Sequence, residues 1–464
     1  MSEVSTRELL EETARLAAGY RESLDERPVR SLLDAAELLR ALEVPLTDAG
    51  ESPSEVIAAL ARIGAQGSVA SAGGRYFGFV IGGSTPAALA ADWLVSAWDQ
   101  NAGLHATSPL VSAVEEVTAG WLRELAGLPP TMTVGFVTGC QMASFTGLAA
   151  ARHRVLSDAG WDVEAEGLFG APPIEVLVGD EAHYTIFMAL RLLGLGGRRL
   201  RRVPVDRQGR MRSDALATML ASVEGPCIVC AQAGNVNSGA FDPLEEIGGL
   251  TRRRRRWLHV DGAFGLWAAA APSHAHLVRG VEHADSIATD GHKWLNVPYD
   301  CGIVFCADEA AHRSAMSLAA PAQSAPYLAT STRRRDPHEF VPEESRRGRA
   351  IPVYALLRTL GRAGLAELIE RNCRQARRFA DGLTAAGFEV LNEVVLNQVV
   401  VAFGDAERTR RVVAAVQADG TCWCGSTQWQ GRTAMRISVS GAATTDADVE
   451  KSLAAMLRIA RDTT

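Results

Sequence analysis

The spacing of apolar residues changes near residue 131 of the chain. In residues 1 to about 70, apolar positions recur every three or four residues, as in SLLDAAELLRALEV (31–44), which predicts amphipathic helices. From about Thr131, short apolar runs alternate with amphipathic segments. The runs that predict strands are 133–139, 174–180, 198–206, 227–234, 257–265, 285–290 and 301–308. Helices are predicted at 142–156, 182–194 and 214–223.

This alternation is typical of an α/β fold, in which helices cover both faces of a mostly parallel sheet. A loop rich in charge and proline follows at about 320–350, and a smaller α+β unit comes after it. We therefore predict an N-terminal helical segment (1–75), a large domain (76–345) and a small C-terminal domain (346–464). Ligands of such sheets bind outside the carboxyl ends of the strands, so the polar residues at those ends form the candidate site.

Composition and charge narrow the functional classes. Of the 464 residues, 47% are hydrophobic and 22% are charged, which is typical of globular proteins. The net charge of −7 favours neither nucleic acid nor an anionic membrane as a partner. The charged opening sequence predicts an amphipathic helix rather than a secretory signal. The eight cysteines form no disulfide or zinc pattern, so we expect buried thiols, no metal site and a cytoplasmic location.

Lysine is rare in this chain. Of the 47 lysine and arginine residues, only Lys293 and Lys451 are lysines. A guanidinium stays protonated, whereas an ε-amino group can lose its proton and attack a carbonyl. Lys293 stands between His292 and Trp294, in a loop after a predicted strand. We therefore expect a covalent role for Lys293.

Three other polar features follow predicted strands. Gly139, Cys140 and Gln141 lie at a strand-to-helix turn, where free N–H groups can hold a phosphate. His183 follows the next strand, and Asp261 ends an apolar strand, where an unpartnered carboxylate would be costly. A phosphate seat, a flat ring, a carboxylate and a reactive amine are together the groups that pyridoxal 5′-phosphate (PLP) needs.

Several motifs resemble those of the group II PLP-dependent amino-acid decarboxylases, the family of the aromatic-L-amino-acid and glutamate decarboxylases, in the style of its bacterial members. The motifs, from about residue 70 onward, are RYFGFVIGG, FVTGCQMASFTGLAAARH, DEAHYT, GNVNSGAFDPL, HVDGAFG and DGHKWLNVPYDCG. The resemblance implies the type I, aspartate-aminotransferase-like fold, with a mostly parallel seven-stranded sheet in the large domain. It also implies a homodimer with active sites at the interface and a small amino-acid substrate.

The resemblance assigns roles to four residues around the cofactor. Lys293 would bind the PLP aldehyde as an imine, and burial is expected to lower its pKa from about 10.4. Asp261 would keep the ring nitrogen protonated, and His183 would stack on the ring. His292 would lie beside the lysine as a further cofactor contact.

The phosphate end of the site contains departures from the family pattern. By the resemblance, Cys140 and Gln141 would offer their backbone N–H groups to the phosphate. Asp290 stands where the family often has asparagine, and a negative charge near phosphate is unexpected, so Asp290 is not among the predicted cofactor contacts. Asn235 and Asn237 are candidates to replace threonines that better-known relatives carry near the cofactor.

A further departure concerns the product. The family's decarboxylases have a tyrosine on a mobile loop that protonates the substrate carbon after carbon dioxide has left. The corresponding segment here, STRRRDPHEFVPEESRRGR (331–349), contains no tyrosine. His338 and Tyr327 are candidate acids, and both are equally well explained as ordinary loop residues. In relatives that lack the tyrosine, oxygen can intercept the reaction and an aldehyde forms.

The substrate pocket is predicted from the segment RYFGFVIGG. Its apolar wall consists of Phe77, Phe79, Val80 and Ile81. Such a wall favours an aromatic or aliphatic amino acid over glutamate, although the same residues suit a protein core equally well. Asn101 falls where a partner subunit would contribute a polar contact. Arg436 lies on a C-terminal strand, where other type I enzymes bind the substrate carboxylate, a role of little use to a decarboxylase.

These observations predict PLP-dependent decarboxylation of an aromatic or apolar L-amino acid to the amine and carbon dioxide. Oxidative deamination to an aldehyde on the same scaffold is the main alternative. Transamination or carbon–sulfur lysis is another, and a cofactor-free α/β binding protein is the non-enzymatic alternative.

Overall fold

The computed structural model describes residues 4–46, 48–317 and 335–463. Its strands are β1 (Thr133–Val137), β2 (Glu175–Gly179), β3 (Arg201–Val203), β4 (Cys227–Gln232), β5 (Trp257–Asp261), β6 (Ser286–Asp290), β7 (Gly302–Cys306), β8 (Glu389–Val390), β9 (Gln398–Ala402), β10 (Gly425–Trp429) and β11 (Arg432–Ser438). Its helices are α1 (Thr6–Glu22), α2 (Ala35–Leu42), α3 (Pro53–Gly67), α4 (Pro86–Trp98), α5 (Pro109–Leu125), α6 (Cys140–Ser157), α7 (Val163–Glu166), α8 (Tyr184–Leu192), α9 (Ser213–Ala221), α10 (Leu244–Arg253), α11 (Glu309–Met316), α12 (Ala350–Ala385), α13 (Ala406–Asp419) and α14 (Asp446–Asp462).

The large sheet has seven strands in the order β1-β7-β6-β5-β4-β2-β3. Strand β7 runs antiparallel to both of its neighbours, and the other pairings are parallel. The successive residues Val229 and Cys230 of β4 belong to two different core clusters, so both faces of the sheet are covered. This double coverage explains the continuous apolar runs in the sequence, and the predicted mostly parallel α/β fold is confirmed.

A second, antiparallel sheet has the order β10-β11-β9-β8. Its core includes Val401 and Met435 and is shared with α12, α13 and α14. Helix α12 joins the two cores, because Leu356 packs into the large one and Phe379 into the small one. The helix is interrupted at Gly361, where φ is 60°, a backbone angle that glycine adopts without a Cβ clash.

The domain boundaries at 75/76 and 345/346 stay predictions, and the start of the predicted large domain packs on the predicted small one. The N–H of Phe77 donates to the carbonyl of Trp423 at 2.9 Å, and the Phe77 ring packs edge-on against Phe379. Tyr76 forms an isolated parallel bridge with Trp423. The start of the predicted large domain is therefore anchored on the small sheet.

Two further expectations concern the membrane and the thiols. None of the described helices is both long and apolar enough to cross a bilayer. All eight cysteines lie in the described ranges, and all of them are free and buried, as expected. Burial raises the pKa of Cys227 to about 11, so this thiol stays protonated at neutral pH.

A glycine at the start of β7 lets two loops meet. A Cβ on Gly302 would overlap the backbone of Gly139, the residue that precedes α6. Gly302 also pairs with Asp290, the last residue of β6. This close approach brings the N-terminus of α6 against the carboxyl end of β6, where the candidate site lies.

We predict that Gly302→Ala destabilises the fold by about 1–3 kcal/mol, because the added methyl group must displace the backbone of Gly139. Urea unfolding followed by circular dichroism measures the change. Gly249→Ala is the matched control, since Gly249 lies in α10 with open space around its Cβ position. The control should stabilise the protein by about 0.5–1 kcal/mol. Equal stability of the two variants would contradict the packing argument.

Candidate active site

The carboxylate of Asp290 is the centre of the polar cluster at the strand ends. Its side chain is 3% exposed, and three nitrogen groups lie within 3.2 Å of its oxygens. The backbone N–H of Cys140 donates to Oδ1 at 2.6 Å, and Nε2 of His292 lies 3.2 Å from the same oxygen. Nζ of Lys293 lies 2.9 Å from Oδ2. The residue that the sequence analysis left out of the site therefore connects its parts.

Lys293 is held as an ammonium by this carboxylate. Burial alone would lower the pKa of Lys293, but the adjacent charge and hydrogen bond of Asp290, together with the charge of Asp261, raise it above its usual value. The lowered pKa expected for Lys293 beside the cofactor stays a prediction, and the polypeptide alone favours the opposite direction. The physical reason is an ion pair that the sequence pattern did not reveal.

The loop that follows Lys293 is fixed by a buried asparagine. The side-chain amide of Asn296 donates to the carbonyls of Trp294 and Ser440, at 2.8 and 3.0 Å. Its oxygen accepts from the N–H of Ala442 at 2.7 Å. A Cβ on Gly82 would overlap the carbonyl of Lys293, so the segment before α4 packs directly on the lysine backbone. Both parts of the chain thus restrict where the amine can lie.

Asp261 ends β5, as predicted, and is 4% exposed. Its Oδ1 accepts from the N–H of Ala263 at 3.1 Å and from the thiol of Cys140 at 3.5 Å. Its Oδ2 has no hydrogen-bond partner among the described residues. One buried carboxylate oxygen is therefore free to pair with a cationic N–H group.

His292 is neutral and oriented by its backbone neighbour. Nδ1 of His292 accepts from the N–H of Cys301 at 3.1 Å, so the ring proton is on Nε2 and points to Asp290. Burial lowers the pKa of His292. The ring of Tyr299 stacks on His292 with centroids 4.3 Å apart.

His183 lies at the N-cap of α8, and its Nδ1 is 2.8 Å from the hydroxyl of Thr185. Burial lowers the pKa of His183, and the charges of Asp261 and Lys293 act on it in opposite directions. These interactions place His183 in the same site as the predicted cofactor residues.

The N-terminus of α6 differs in one respect from the predicted phosphate seat. The N–H of Cys140 donates to Asp290, so it is not free for a phosphate as predicted. The N–H groups of Gln141 and Met142 have no protein acceptor in the described ranges. The free N–H groups of this helix start therefore begin one residue later than the sequence indicated.

The predicted apolar wall divides into buried and accessible residues. Phe77 and Val80 are each 1% exposed and pack into the two cores, which favours the core alternative for both, while the pocket assignment of Val80 stays a prediction. Phe79 is 61% exposed, and its ring lies 5.3 Å from that of Trp423. Ile81 is half-buried, with its carbonyl bonded to Ser440.

Asn101 and His338 lie together in a second cluster. Oδ1 of Asn101 accepts from the N–H groups of Gly103 and Arg346, and the N–H of His338 donates to the carbonyl of Gly103. His338 lies in a short 3-10 helix (Pro337–Phe340), with Nδ1 3.1 Å from Glu344. No hydrogen bond of these two residues in the described ranges reaches Lys293. Tyr327 lies outside the described residues.

The remaining candidates occupy the boundary between the two sheets. Oδ1 of Asn235 accepts from Asn237 and Ser238 within its own turn, and Oδ1 of Asn237 accepts from Thr427. These oxygens shape loops instead of the cofactor site. Arg436, on β11, has no hydrogen bond or ion pair from its side chain among the described residues, and burial lowers its pKa to about 10.

Sequence reasoning missed three aromatic residues next to the site. Tyr76 stacks on Trp423 with centroids 5.0 Å apart, and burial, together with the nearby Tyr299, raises the pKa of Tyr76 to about 12. Tyr76 and Tyr299 stood inside the quoted motifs, but their stacking depends on the folded loops. Trp423 lies more than 300 residues away from Tyr76 and carries no local signal beyond its flanking cysteines.

Known proteins share this arrangement of elements. A family model described as "Pyridoxal-dependent decarboxylase conserved domain" matches residues 36–403. The chain belongs to this family. It is 30% identical to L-2,4-diaminobutyrate decarboxylase of Rhizobium meliloti (strain 1021) over 392 residues, or 81% of this chain and 75% of that protein.

The chain is also similar to 4-hydroxyphenylacetaldehyde synthase of Rhodiola rosea, with 25% identity over 431 residues, or 88% of this chain and 85% of that protein. The solved structure of Oryza sativa TDC with PLP and tryptamine superposes with a TM-score of 0.91 at 22% identity, covering 100% and 99% of the two chains. The predicted family, type I fold, PLP cofactor and carboxy-lyase class are confirmed.

Proposed function

We propose that this PLP-dependent decarboxylase acts on an L-amino acid with an aromatic or apolar side chain and releases the amine and carbon dioxide. The supporting observation is the convergence of Lys293, Asp261 and the start of α6 at the carboxyl ends of β5 and β6. This is the region where open α/β sheets bind ligands.

The donor and acceptor groups of the site suit PLP. The amine of Lys293 suits the aldehyde, and the free Oδ2 of Asp261 suits the protonated ring nitrogen. The N–H groups of Gln141 and Met142 suit the phosphate. When bound, PLP supplies an electron sink for the electron pair left by departing carbon dioxide.

Two histidines complete the proposed cofactor site. His183 would cover the flat face of the cofactor ring, and its neutral state avoids a second positive charge beside Lys293. His292 is held by Cys301 and Asp290, so its role is to fix the loop that carries the lysine. Asp261 would retain a proton on the ring nitrogen, because a buried carboxylate stabilises an adjacent cation.

His338 is our proposed proton donor for the amine product. Its Nε2 is buried without a partner among the described residues, while Nδ1 contacts Glu344. A buried ring nitrogen of this kind is unsatisfied until it meets another polar group. Since Asn101 and His338 share one cluster, we infer that both contribute to the same active site across a subunit interface.

The substrate side chain would meet aromatic surface. Phe79, Trp423 and Tyr76 form a continuous stack beside the Lys293 loop, which suits a flat or aliphatic side chain. Arg436 would attract the carboxylate as the substrate enters. Its unpaired guanidinium is the feature that supports this role.

A homodimer is supported by the apolar surface of the N-terminal helices. No residue of α1, α2 or α3 is buried. Leu10, Leu39 and Leu60 are 59%, 64% and 52% exposed, so each of these helices leaves a large apolar side chain uncovered within one chain. We also propose a reducing, cytoplasmic compartment, since all eight described cysteines are free thiols.

Aldehyde formation is the second candidate. The segment 331–349 has no tyrosine, and one relative of the chain is named 4-hydroxyphenylacetaldehyde synthase. The two reactions differ in their use of oxygen. Decarboxylation consumes none, whereas the oxidative reaction releases peroxide and ammonia with the aldehyde.

Product analysis distinguishes these candidates. The PLP-loaded protein is incubated in air with tyrosine, tryptophan, phenylalanine, leucine, glutamate and 2,4-diaminobutyrate, with Lys293→Ala as the inactive control. We expect an amine from an aromatic or apolar substrate. Aldehyde with peroxide would establish the second candidate, and a product from glutamate or diaminobutyrate alone would contradict the proposed substrate class.

Borohydride reduction of the PLP-loaded protein should attach the cofactor to the peptide containing Lys293, because reduction makes an imine irreversible. Peptide mass spectrometry measures the adduct. Lys451→Arg is the matched control and should retain it, while Lys293→Arg should lose it. An adduct on Lys451 alone would contradict the assignment.

The combined variant Leu10→Gln, Leu39→Gln and Leu60→Gln should shift the protein from dimer to monomer at micromolar concentration, because it removes apolar area from the proposed interface. Size-exclusion chromatography with light scattering measures the mass. Phe169→Gln, at a 97% exposed residue outside these helices, is the control. An unchanged dimer in the triple variant would rule out this interface.

A further inference from the structure

The buried carboxylate of Asp290 has no role of its own in the reaction proposed above. A carboxylate that is 3% exposed is costly unless its oxygens are satisfied. Here the backbone of α6, the imidazole of His292 and the amine of Lys293 satisfy them together. One donor comes from α6 and two come from the loop that directly follows Asp290, so the carboxylate is held from both sides.

We propose that Asp290 is the positioning residue of Lys293: it holds the amine as an ammonium beside the start of α6 and accepts its proton when the amine becomes a nucleophile. The proposal rests on the proposed covalent role of Lys293. It assigns a function to the residue that departs from the asparagine common in the family.

The proton transfer within this pair is balanced. One N–H bond of the Lys293 ammonium breaks and one O–H bond forms on Asp290, so an ion pair becomes a neutral amine and a neutral acid. The net charge of the buried pair is zero before and after the transfer, which avoids leaving one uncompensated charge. The free amine would then be able to attack an aldehyde carbon, where a C=N bond replaces the C=O bond and the oxygen leaves as water with the two amine hydrogens.

Other charged and titratable groups also face this pair. Asp261 favours the ammonium from the side of β5, and the thiol of Cys140 lies between the two carboxylates. His183 and His292 are both neutral because burial lowers their pKa values. Asp290 differs from all of these because it contacts Nζ directly. Its contribution should therefore exceed that of Asp261.

The phosphate seat gives this arrangement a second consequence. Asp290 uses the N–H of Cys140, which would otherwise be the first donor of α6. Its carboxylate thus lies beside the place proposed for a dianionic phosphate. Neutralising Asp290 by proton transfer would reduce the repulsion between the two groups. Formation of the covalent bond and binding of the phosphate would then favour one another.

The two lysines of the chain allow a direct test in the cofactor-free protein. Growth with ε-¹³C-lysine gives two signals in a carbon-proton correlation spectrum, one from Lys293 and one from Lys451. The variant Lys451→Arg assigns them. A pH titration then reports the protonation of Lys293 without any requirement for decarboxylase activity.

In the wild-type protein, the midpoint of the Lys293 signal should lie above that of a lysine in an unfolded peptide. In Asp290→Asn the midpoint should move to lower pH, because burial then acts without the opposing carboxylate. Asp261→Asn removes a nearby charge but leaves the contact between Asp290 and Nζ in place. It should therefore move the midpoint less. Circular dichroism checks that each variant is folded.

The same variants should differ in their reaction with aldehyde. Below the midpoint, Asp290→Asn starts with more free amine and so needs no proton acceptor. It should form the borohydride-trapped Lys293 adduct with pyridoxal, which lacks the phosphate, faster than the wild type, by about tenfold for each unit by which the midpoint falls. A lysine whose pKa falls by one unit has about ten times more free amine. Asp261→Asn should show a smaller gain.

The proposal is overturned if Lys293 titrates at the same pH in wild type and Asp290→Asn, or if Asp261→Asn moves it equally. It is also overturned if the wild-type midpoint lies below that of the unfolded peptide, a result that does not depend on any variant folding. An absence of amine and aldehyde products would count against the proposed function only, because the titration uses no amino-acid substrate.

Discussion

The contact between Asp290 and the first N–H of α6 connects the end of one strand to the start of a helix that follows a different strand. Strand β6 ends at Asp290, and α6 begins at Cys140, next to the glycine pair Gly139 and Gly302. A buried carboxylate in this position needs several donors, and the helix terminus supplies one without any side chain. Lys293 and His292 supply the other donors, so their positions are set by the same carboxylate.

This constraint explains why the site is built from such distant segments. Asp261 is reached through the thiol of Cys140, while Asn296 and Gly82 secure the loop behind the lysine. The segment before β10 contributes Trp423, which packs on the segment before α4. The aromatic surface and the reactive amine therefore come from distant parts of the chain, since Lys293 lies in the loop after β6.

The sequence predicted those features that local patterns control. Every strand of the large sheet lies within a predicted apolar run, and the polar residues at the strand ends, Lys293, Asp261 and His183, were found because parallel strands end at a common edge. It did not distinguish a core role from a pocket role for Val80, and it did not predict that the N–H of Cys140 is taken, because both depend on tertiary neighbours. The raised pKa of Lys293 was missed for the same reason. Asp290 was excluded from the site because of its negative charge, and its partners are known only from the folded structure.

The most direct test of this account is a crystal structure of the protein grown with PLP. The account predicts continuous density between Nζ of Lys293 and the cofactor, the ring nitrogen beside Oδ2 of Asp261, and the phosphate at the N–H groups of Gln141 and Met142. It also predicts that Asp290 no longer pairs with a lysine ammonium. A structure in which Lys293 remains bonded to Asp290 while PLP lies elsewhere would contradict the account.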